Sequence, residues 1–162
     1  MDAGNLTGDH RRYVYEYDME NRLTKVSRSD STVVATFEYD ALGRRIETVD
    51  AIAGITTRYY YDDQRVAVQA LVSGGVETDQ RYFVFGNTID EVLVMRNLTG
   101  SPADTYYAHD HLYSPVALFL MNGAVVERYE YDAYGQVTIW NAAFTTTYTA
   151  SQYGNPYTFT GR

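Results

Sequence analysis

The stretch Tyr129-Glu130-Tyr131-Asp132 recurs along the chain and decides its fold. Related tetrads end at positions 18, 40, 62, 86, 110 and 132, so successive copies lie 22 to 24 residues apart. A fixed period of this length is the mark of a repeat architecture. The other copies are Tyr15-Glu16-Tyr17-Asp18, Phe37-Glu38-Tyr39-Asp40, Tyr59-Tyr60-Tyr61-Asp62, Tyr107-Ala108-His109-Asp110 and the degenerate Phe83-Val84-Phe85-Gly86.

Turn residues follow the tetrads at a fixed distance. Asn21, Gly43 and Gly135 each lie three residues after a tetrad Asp. Glycine and asparagine adopt positive φ at low cost, and an Asp side chain can bond to the backbone two residues further on. Each tetrad is therefore predicted to end a strand and open a turn.

A second set of turn signals lies midway between the tetrads. Asn122-Gly123, flanked by apolar residues, is the strongest hairpin signal among them. Each period then holds two strands and two turns, and helical periodicity is poor throughout. We predict an all-β fold: a repeat of antiparallel β-hairpins of about 22–24 residues, with about twelve strands in a curled, spiral or barrel-like sheet, because open sheets beyond about ten strands tend to curl. The other midway signals are Ser29-Asp30-Ser31, Ala53-Gly54, Ser73-Gly74-Gly75 and residues 97–102.

Tyrosine is unusually common, with 17 residues beside six Phe and one Trp. Alternation places Tyr13, Tyr15 and Tyr17 on one face of a strand. Aromatic pairs across strands fix register, so the tyrosines are predicted to be structural. The alternative is a carbohydrate-binding or adhesion module, in which exposed tyrosines stack on sugar rings. The residues predicted to define the repeat are Tyr15, Tyr17, Asp18, Tyr39, Asp40, Gly43, Tyr59, Tyr61, Asp62, Asp110, Tyr129, Tyr131, Asp132 and Gly135.

Composition excludes several classes of protein. The 162 residues carry a formal net charge of −8, which disfavours nucleic-acid binding. The absence of cysteine excludes disulfides and thiolate metal sites. Apolar runs are short and the N-terminus lacks signal-peptide features, so neither membrane insertion nor a signal peptide is expected in this chain. We predict an N-terminal tail over residues 1–12 and one repeat domain over residues 13–162.

From about Tyr13 to Arg162 the chain resembles the RHS or YD-repeat family, and the resemblance is most specific in the second half. Phe85-Gly86-Asn87-Thr88-Ile89-Asp90-Glu91 looks like the family's Gly-x-x-Ile-Asp-Glu stretch, and His109-Asp110-His111-Leu112 looks like its Asp-His-Leu-Gly-Ser segment. Tyr113 and Pro115 depart from the family pattern, so a different local turn is expected there. The stretches 125–135 and 154–162 resemble the RHS repeat-associated core.

The resemblance implies a non-catalytic shell or scaffold segment. In that family, which includes bacterial RHS toxins, the C component of toxin complexes and teneurins, hairpins form a hollow shell that encloses a toxin polypeptide. The implied partners are the rest of the shell and its enclosed polypeptide, and the implied location is outside a bacterial cell or on its surface as part of a longer protein. Six repeats are too few for a closed shell, so we also expect self-association through edge strands near Tyr13 to Asp18 or Tyr157 to Thr160. A cleavage site would lie beyond Arg162.

Possible chemical sites are few, and no enzyme, cofactor or metal is predicted. His109 and His111 could share a strand face as metal ligands, but Asp110 would point to the other face. The neighbouring carboxylates of Asp90-Glu91 and of Asp62-Asp63 point apart on a strand, which disfavours shared acid–base work. Glu127, Arg128 and Glu130 are interpreted as the solvated face of a strand.

Overall fold

The structure is a computed structural model that describes residues 4–9, 12–99 and 103–161. Within these residues the chain forms strands and one short 3-10 helix, Phe159–Gly161. The strands are β1 (Tyr13–Tyr17), β2 (Leu23–Arg28), β3 (Val33–Tyr39), β4 (Arg45–Asp50), β5 (Ile55–Asp62), β6 (Arg65–Ser73), β7 (Val76–Phe85), β8 (Val92–Asn97), β9 (Ala103–His109), β10 (Pro115–Phe119), β11 (Val125–Tyr131), β12 (Val137–Asn141) and β13 (Thr147–Tyr148).

The strands follow one another in sequence order, β1 to β13, and every register that the structure describes is antiparallel. The prediction of an all-β chain of hairpin repeats is therefore confirmed. Sequence reasoning expected about twelve strands, and the additional one, β13, has only two residues. Among the described residues, no helix has the length and apolar character needed to cross a membrane.

A β-bulge recurs at the tetrads. The register shifts between Glu16 and Tyr17, between Glu38 and Tyr39, between Tyr60 and Tyr61, and between Val84 and Phe85. A bulge bends its strand and increases the local twist. Because the shift falls just before the third tetrad residue, it sets the direction of that aromatic side chain at the strand end.

The chain divides into two compact units, Met1–Gln80 and Arg81–Arg162, with the division inside β7. In the first unit, Ser27 and Ala70 are the buried residues among those described. Residues 7–9 lie along the outer edge of β1, where the Tyr15 amide donates to the Thr7 carbonyl at 3.1 Å. Part of the predicted association edge is thus occupied by the chain itself, and association through β1 stays a prediction.

The second unit holds most of the buried apolar side chains, including Val92, Met95 and Leu118, none of which exposes any surface. A segment without strand pairing, Ser151–Gly161, lies over one face of its sheet. The expectation of an edge strand at Tyr157 to Thr160 is therefore wrong. Tyr157 packs against Phe83 instead, because its ring finds an apolar surface on the sheet face that an edge position would not offer.

Candidate functional site: the tyrosine face and its C-terminal strap

Four tetrad aspartates open turns of the same construction, at Asp18, Asp40, Asp110 and Asp132. At Asp40, one carboxylate oxygen accepts from the amides of Leu42 and Arg44, both at 2.9 Å. The Asp40 amide donates to the Arg44 carbonyl, and the Gly43 amide donates back to the Asp40 carbonyl. The other three turns repeat these four bonds. The Asp side chain thereby accepts hydrogen bonds from backbone amides that have no partner on a neighbouring strand, because the strand has ended.

The position three residues after the Asp has positive φ in each of these turns. The values are 62° at Asn21, 80° at Gly43, 61° at Tyr113 and 83° at Gly135. The family departure at Tyr113 therefore does not alter the turn's hydrogen bonding, contrary to expectation. It places a bulky residue in a backbone conformation that costs non-glycine residues roughly 1–2 kcal/mol.

Asp62 departs from the pattern. It is the last residue of β5 and pairs with Arg65 across a two-residue connection, in which Asp63 has φ of 53°. Its carboxylate accepts no hydrogen bond from the amides that follow, because Arg65 and Val66 are already paired with β5 and the longer turn seen after Asp40 does not form. The degenerate copy at Gly86 also differs, since the Glu91 carboxylate accepts from the Asn87 amide at 2.9 Å.

Tyrosine and arginine side chains join one repeat to the next. The hydroxyls of Tyr39, Tyr61 and Tyr131 donate at 2.7–2.8 Å to the carbonyl that lies five residues after the preceding turn aspartate. Those carbonyls belong to Leu23, Arg45 and Pro115. In the first unit, the Arg22 guanidinium pairs with Asp18 at 2.6 Å, donates to the Asp40 carbonyl and lies 5.0 Å from the Tyr39 ring centre. The arrangement recurs at Arg44 over Tyr61.

We call the sheet surface that carries the first and third tetrad residues the tyrosine face, described separately for each unit. In the first unit Tyr15, Tyr59 and Tyr61 are half-buried on this face, whereas Tyr60, one residue along β5, is exposed on the opposite face. There Tyr60 donates to Glu77, which also pairs with Arg58. In the second unit, Tyr107 and Tyr129 are buried.

The segment Ser151–Gly161, which we call the strap, covers the tyrosine face of the second unit. Its Tyr157 ring meets the rings of Phe83 and Phe85 edge-on, with centroids 5.0 and 6.0 Å away. Further along, Phe159 packs on Tyr131, with 5.7 Å between ring centroids. The strap therefore supplies the apolar layer that buries this face.

Glu127 is the polar anchor of the strap and exposes no surface. Its carboxylate accepts from the Ser151 hydroxyl at 2.6 Å, from the Gln152 amide at 2.8 Å and from the Tyr129 hydroxyl. The assignment of Glu127 to a solvated strand face is wrong. Residues 127, 129 and 131 alternate onto the same face, so Glu127 shares the surface of Tyr129 and Tyr131.

Burial raises the pKa values of three tyrosines of the second unit. It raises the pKa of Tyr107 and Tyr129 well above the ordinary value, and the hydrogen bond to Glu127 raises that of Tyr129 further. Burial also raises the pKa of Tyr131. The phenols thus stay protonated and act as hydrogen-bond donors.

The pKa values of two turn aspartates, Asp18 and Asp110, shift in the opposite direction and are lowered. The amide of Arg22 is the main cause that lowers the pKa of Asp18. At Asp110 burial acts to raise the pKa, but the hydrogen bonds from Ser114 and Leu112 outweigh it and the pKa is lowered. These carboxylates are held ionised by their turns.

The candidate metal ligands do not converge. His109 ends β9 and stacks on Tyr107, whereas His111 lies exposed in the following turn. Burial lowers the pKa of His109. Among the described residues no group of three His, Asp or Glu side chains is arranged to hold a metal ion. The Glu91 carboxylate accepts from the Asn87 amide at 2.9 Å and is thus committed to its own loop.

Sequence reasoning missed the residues that hold the strap. Arg81 donates to the Gly154 carbonyl, the Asn97 amide group to the Tyr153 carbonyl at 3.1 Å, and the Tyr107 hydroxyl to Asn155 at 2.7 Å. Only alternation could have indicated the sheet side of Arg81 and Tyr107, which lie on predicted strands, whereas Asn97 belongs to a predicted turn and instead ends β8. Nothing in the local pattern indicates which distant segment they bind.

These features define a YD-repeat β-hairpin wall, and comparison with known proteins gives the same class. The family model Teneurin YD-shell matches residues 3–142. The chain belongs to this family.

Relatives include the tRNA3(Ser)-specific nuclease WapA of Bacillus spizizenii, 27% identical over 137 residues that make up 83% of this chain and 6% of the relative. Teneurin-3 of Mus musculus is 23% identical over 124 residues, or 76% of this chain and 4% of the relative. The chain thus spans a small part of the length of these relatives. Among solved structures, the crystal structure of TcdB2-TccC3 without its hypervariable C-terminal region matches 88% of this chain and 9% of that chain, with a TM-score of 0.46 and 15% identity.

Proposed function

We propose that this chain is a non-catalytic wall segment of a YD-repeat shell, with the tyrosine face of its first unit toward an enclosed polypeptide. Membership of the Teneurin YD-shell family supports the shell role. The proposed orientation of the sheet rests on the difference between its two faces at β5 of the first unit. Tyr59 and Tyr61 present a half-buried aromatic surface, while the opposite face carries Arg58, Glu47 and Glu77 in ion pairs typical of a solvated surface.

The proposal assigns no chemistry to the chain itself. The WapA relatives are named nucleases, but this chain matches 6% of such a protein, so that activity is not carried over. The described residues form a wall of backbone ladders, in which the Asp40 carboxylate is committed to a turn and the Glu127 carboxylate to the strap. Location at a cell surface or outside the cell, as part of a longer protein, belongs to the same proposal.

Site-specific photo-crosslinking tests the orientation. A photoreactive phenylalanine analogue is placed at Tyr59 or, as the matched control, at Tyr60, in the longest natural polypeptide that contains this segment. Adjacent strand residues face opposite sides of a sheet. We expect crosslinks from position 59 to a polypeptide enclosed by the shell and none from position 60. Crosslinks to that polypeptide from position 60, or none from position 59, would contradict the proposal.

The carbohydrate-binding alternative requires exposed tyrosines. Of the 17 tyrosines, only Tyr60 and Tyr134 are exposed in the structure. The Tyr60 hydroxyl is already bonded to Glu77. A glycan array with the Tyr134→Ala variant as control tests the alternative, which would be favoured by a glycan signal that this variant loses.

A further inference from the structure

The strap is held by side chains of the sheet and not by strand pairing. Four side chains, three on strands and Ser114 in the turn before β10, bind its backbone: Arg81 and Asn97 donate to carbonyls, and Glu127 and Ser114 accept from the amides of Gln152 and Thr160, at 2.8 and 3.0 Å. Its side chains are bound as well, Ser151 by Glu127 and Asn155 by Tyr107. The contacts to the Ser151 and Asn155 side chains depend on the sequence of the strap, whereas contacts to its backbone, like strand pairing, would accept many segments.

Hydrogen bonds within the strap also fix its own conformation. The Ser151 hydroxyl oxygen accepts from the amides of Tyr153 and Asn155, at 3.2 and 3.1 Å. The Asn155 side chain accepts from the Tyr157 amide and donates to the Tyr157 carbonyl, at 3.0 and 2.7 Å. A peptide that forms its own turns loses less conformational entropy on binding than an extended one.

Two glycines fit the strap to its surface. A Cβ added at Gly154 would lie 2.9 Å from the Arg81 guanidinium, and one added at Gly161 would lie 2.3 Å from the Asp90 carbonyl oxygen. Both glycines have positive φ, 69° and 71°. The close approach at each end therefore selects glycine at two defined positions of the bound segment.

The covalent connection to the strap makes few contacts with the rest of the second unit. Residues 142–150 are exposed except for Tyr148, and β13 pairs with β12 through only two residues. The connection raises the local concentration of the strap but supplies few contacts of its own. Segments that are bound by side chains and joined by an exposed connection are suited to exchange between copies.

We propose that the tyrosine face of the second unit is a sequence-specific peptide-binding site, with the strap as its resident ligand, and that it accepts the strap of a second copy. A peptide that binds this site needs four features of the strap: the hydroxyl of Ser151, the glycine at 154, the side-chain amide of Asn155 and the aromatic ring of Tyr157. Glu127 is the residue that selects among peptides, because its buried carboxylate is costly without donors.

The test uses the full chain with a protease site inserted between Thr149 and Ala150. After cleavage, the strap is expected to co-elute with the body in size-exclusion chromatography. A fluorescent synthetic peptide of residues 150–162 is expected to replace it, as followed by anisotropy. The same peptide with Asn155→Ala is expected to bind at least about tenfold more weakly, the equivalent of one lost hydrogen bond of about 1.4 kcal/mol. This variant leaves the protein itself unchanged.

Glu127→Gln in the cleaved protein is expected to release the strap, and Glu130→Gln is the matched control. Glu130 lies on the same strand but is exposed, and its carboxylate accepts from the Trp140 indole at 2.7 Å. Loss of the strap from the unmutated cleaved protein would overturn the proposal, whether or not the body stays folded by circular dichroism. Failure of the labelled peptide to exchange, or equal binding of a scrambled peptide, would also overturn it.

Discussion

At the scale of the residue, the tetrad Asp forms a turn, and its contribution to stability depends on the length of the connection that follows it. Asp110 accepts from Leu112 and Ser114 at 2.8 and 2.9 Å. Asp62 occupies the same place in its tetrad but forms no such bonds, because only two residues separate it from Arg65. The tetrad pattern predicts both aspartates equally, so the sequence alone does not distinguish them.

We expect Asp110→Ala to lower the free energy of unfolding by about 1–2 kcal/mol, because two turn amides lose their acceptor. Asp62→Ala is the matched control and should change stability by less than about 0.5 kcal/mol. Chemical denaturation followed by circular dichroism measures both values. Equal losses in the two variants would show that the carboxylate bonds of the turn are not what stabilises it.

The turn aspartates also predict a dependence on acid. Their pKa values are lowered in the folded state at Asp18 and Asp110, so the unfolded chain binds protons more readily. Their stabilising contribution is present above the ordinary carboxyl pKa of about 3.9 and is lost as pH falls through the lower folded value. The melting temperature should therefore decrease when the pH is lowered below about 4. In Asp110→Ala this fall should be smaller, whereas an unchanged slope would contradict the assignment.

At the scale of the element, the hairpin period could be predicted almost completely. Turn residues at a fixed distance from three of the tetrads placed the strand ends there, because positive φ at Asn21, Gly43 and Gly135 is a local requirement. The bulges before the third tetrad residue could not be placed, since they depend on the register of the neighbouring strand. The strap could not be predicted either, because its partners Arg81 and Glu127 are distant in sequence.

Gly135→Ala and Gly43→Ala separate turn strain from strap packing. Both glycines have positive φ, at 83° and 80°, so each substitution costs roughly 1–2 kcal/mol in backbone strain. A Cβ at Gly135 would also lie 2.7 Å from the Phe159 ring, whereas the nearest atom to one at Gly43 is the Arg22 guanidinium at 4.0 Å. Overpacking adds about 1–3 kcal/mol, so Gly135→Ala should be the more destabilising change.

Hydrogen exchange gives the readout for this pair. The Thr160 amide, which donates to the Ser114 hydroxyl at 3.0 Å, should exchange faster in Gly135→Ala because the adjacent Phe159 is displaced. It should keep its protection in Gly43→Ala. Equal protection of Thr160 in both variants would mean that Phe159 accommodates the methyl group without moving.

At the scale of the whole molecule, the two units bury their tyrosines differently. In the described part of the first unit, the tyrosine face is half-buried, and Arg22 and Arg44 pack over the rings of Tyr39 and Tyr61. In the second unit, the strap buries Tyr107 and Tyr129. The same tetrads thus give a solvent-accessible aromatic surface or a closed core, depending on what lies above them. The sequence repeats predict the hairpin sheet, but they do not predict that the strap covers one face of it in the second unit.

This difference predicts how the protein responds to alkali. The folded pKa values of Tyr107, Tyr129 and Tyr131 are raised, so their contribution to stability is complete below the unfolded tyrosine pKa of about 10 and is lost as pH rises toward the folded values. We expect the free energy of unfolding to fall progressively as the pH rises above about 10, and part of the tyrosinate absorbance to appear only on unfolding. Tyr129→Phe should flatten the fall, whereas Tyr134→Phe, which removes a 96% exposed ring hydroxyl, should not. Titration of every tyrosine near pH 10 in the folded protein would show that the strap does not seal this face.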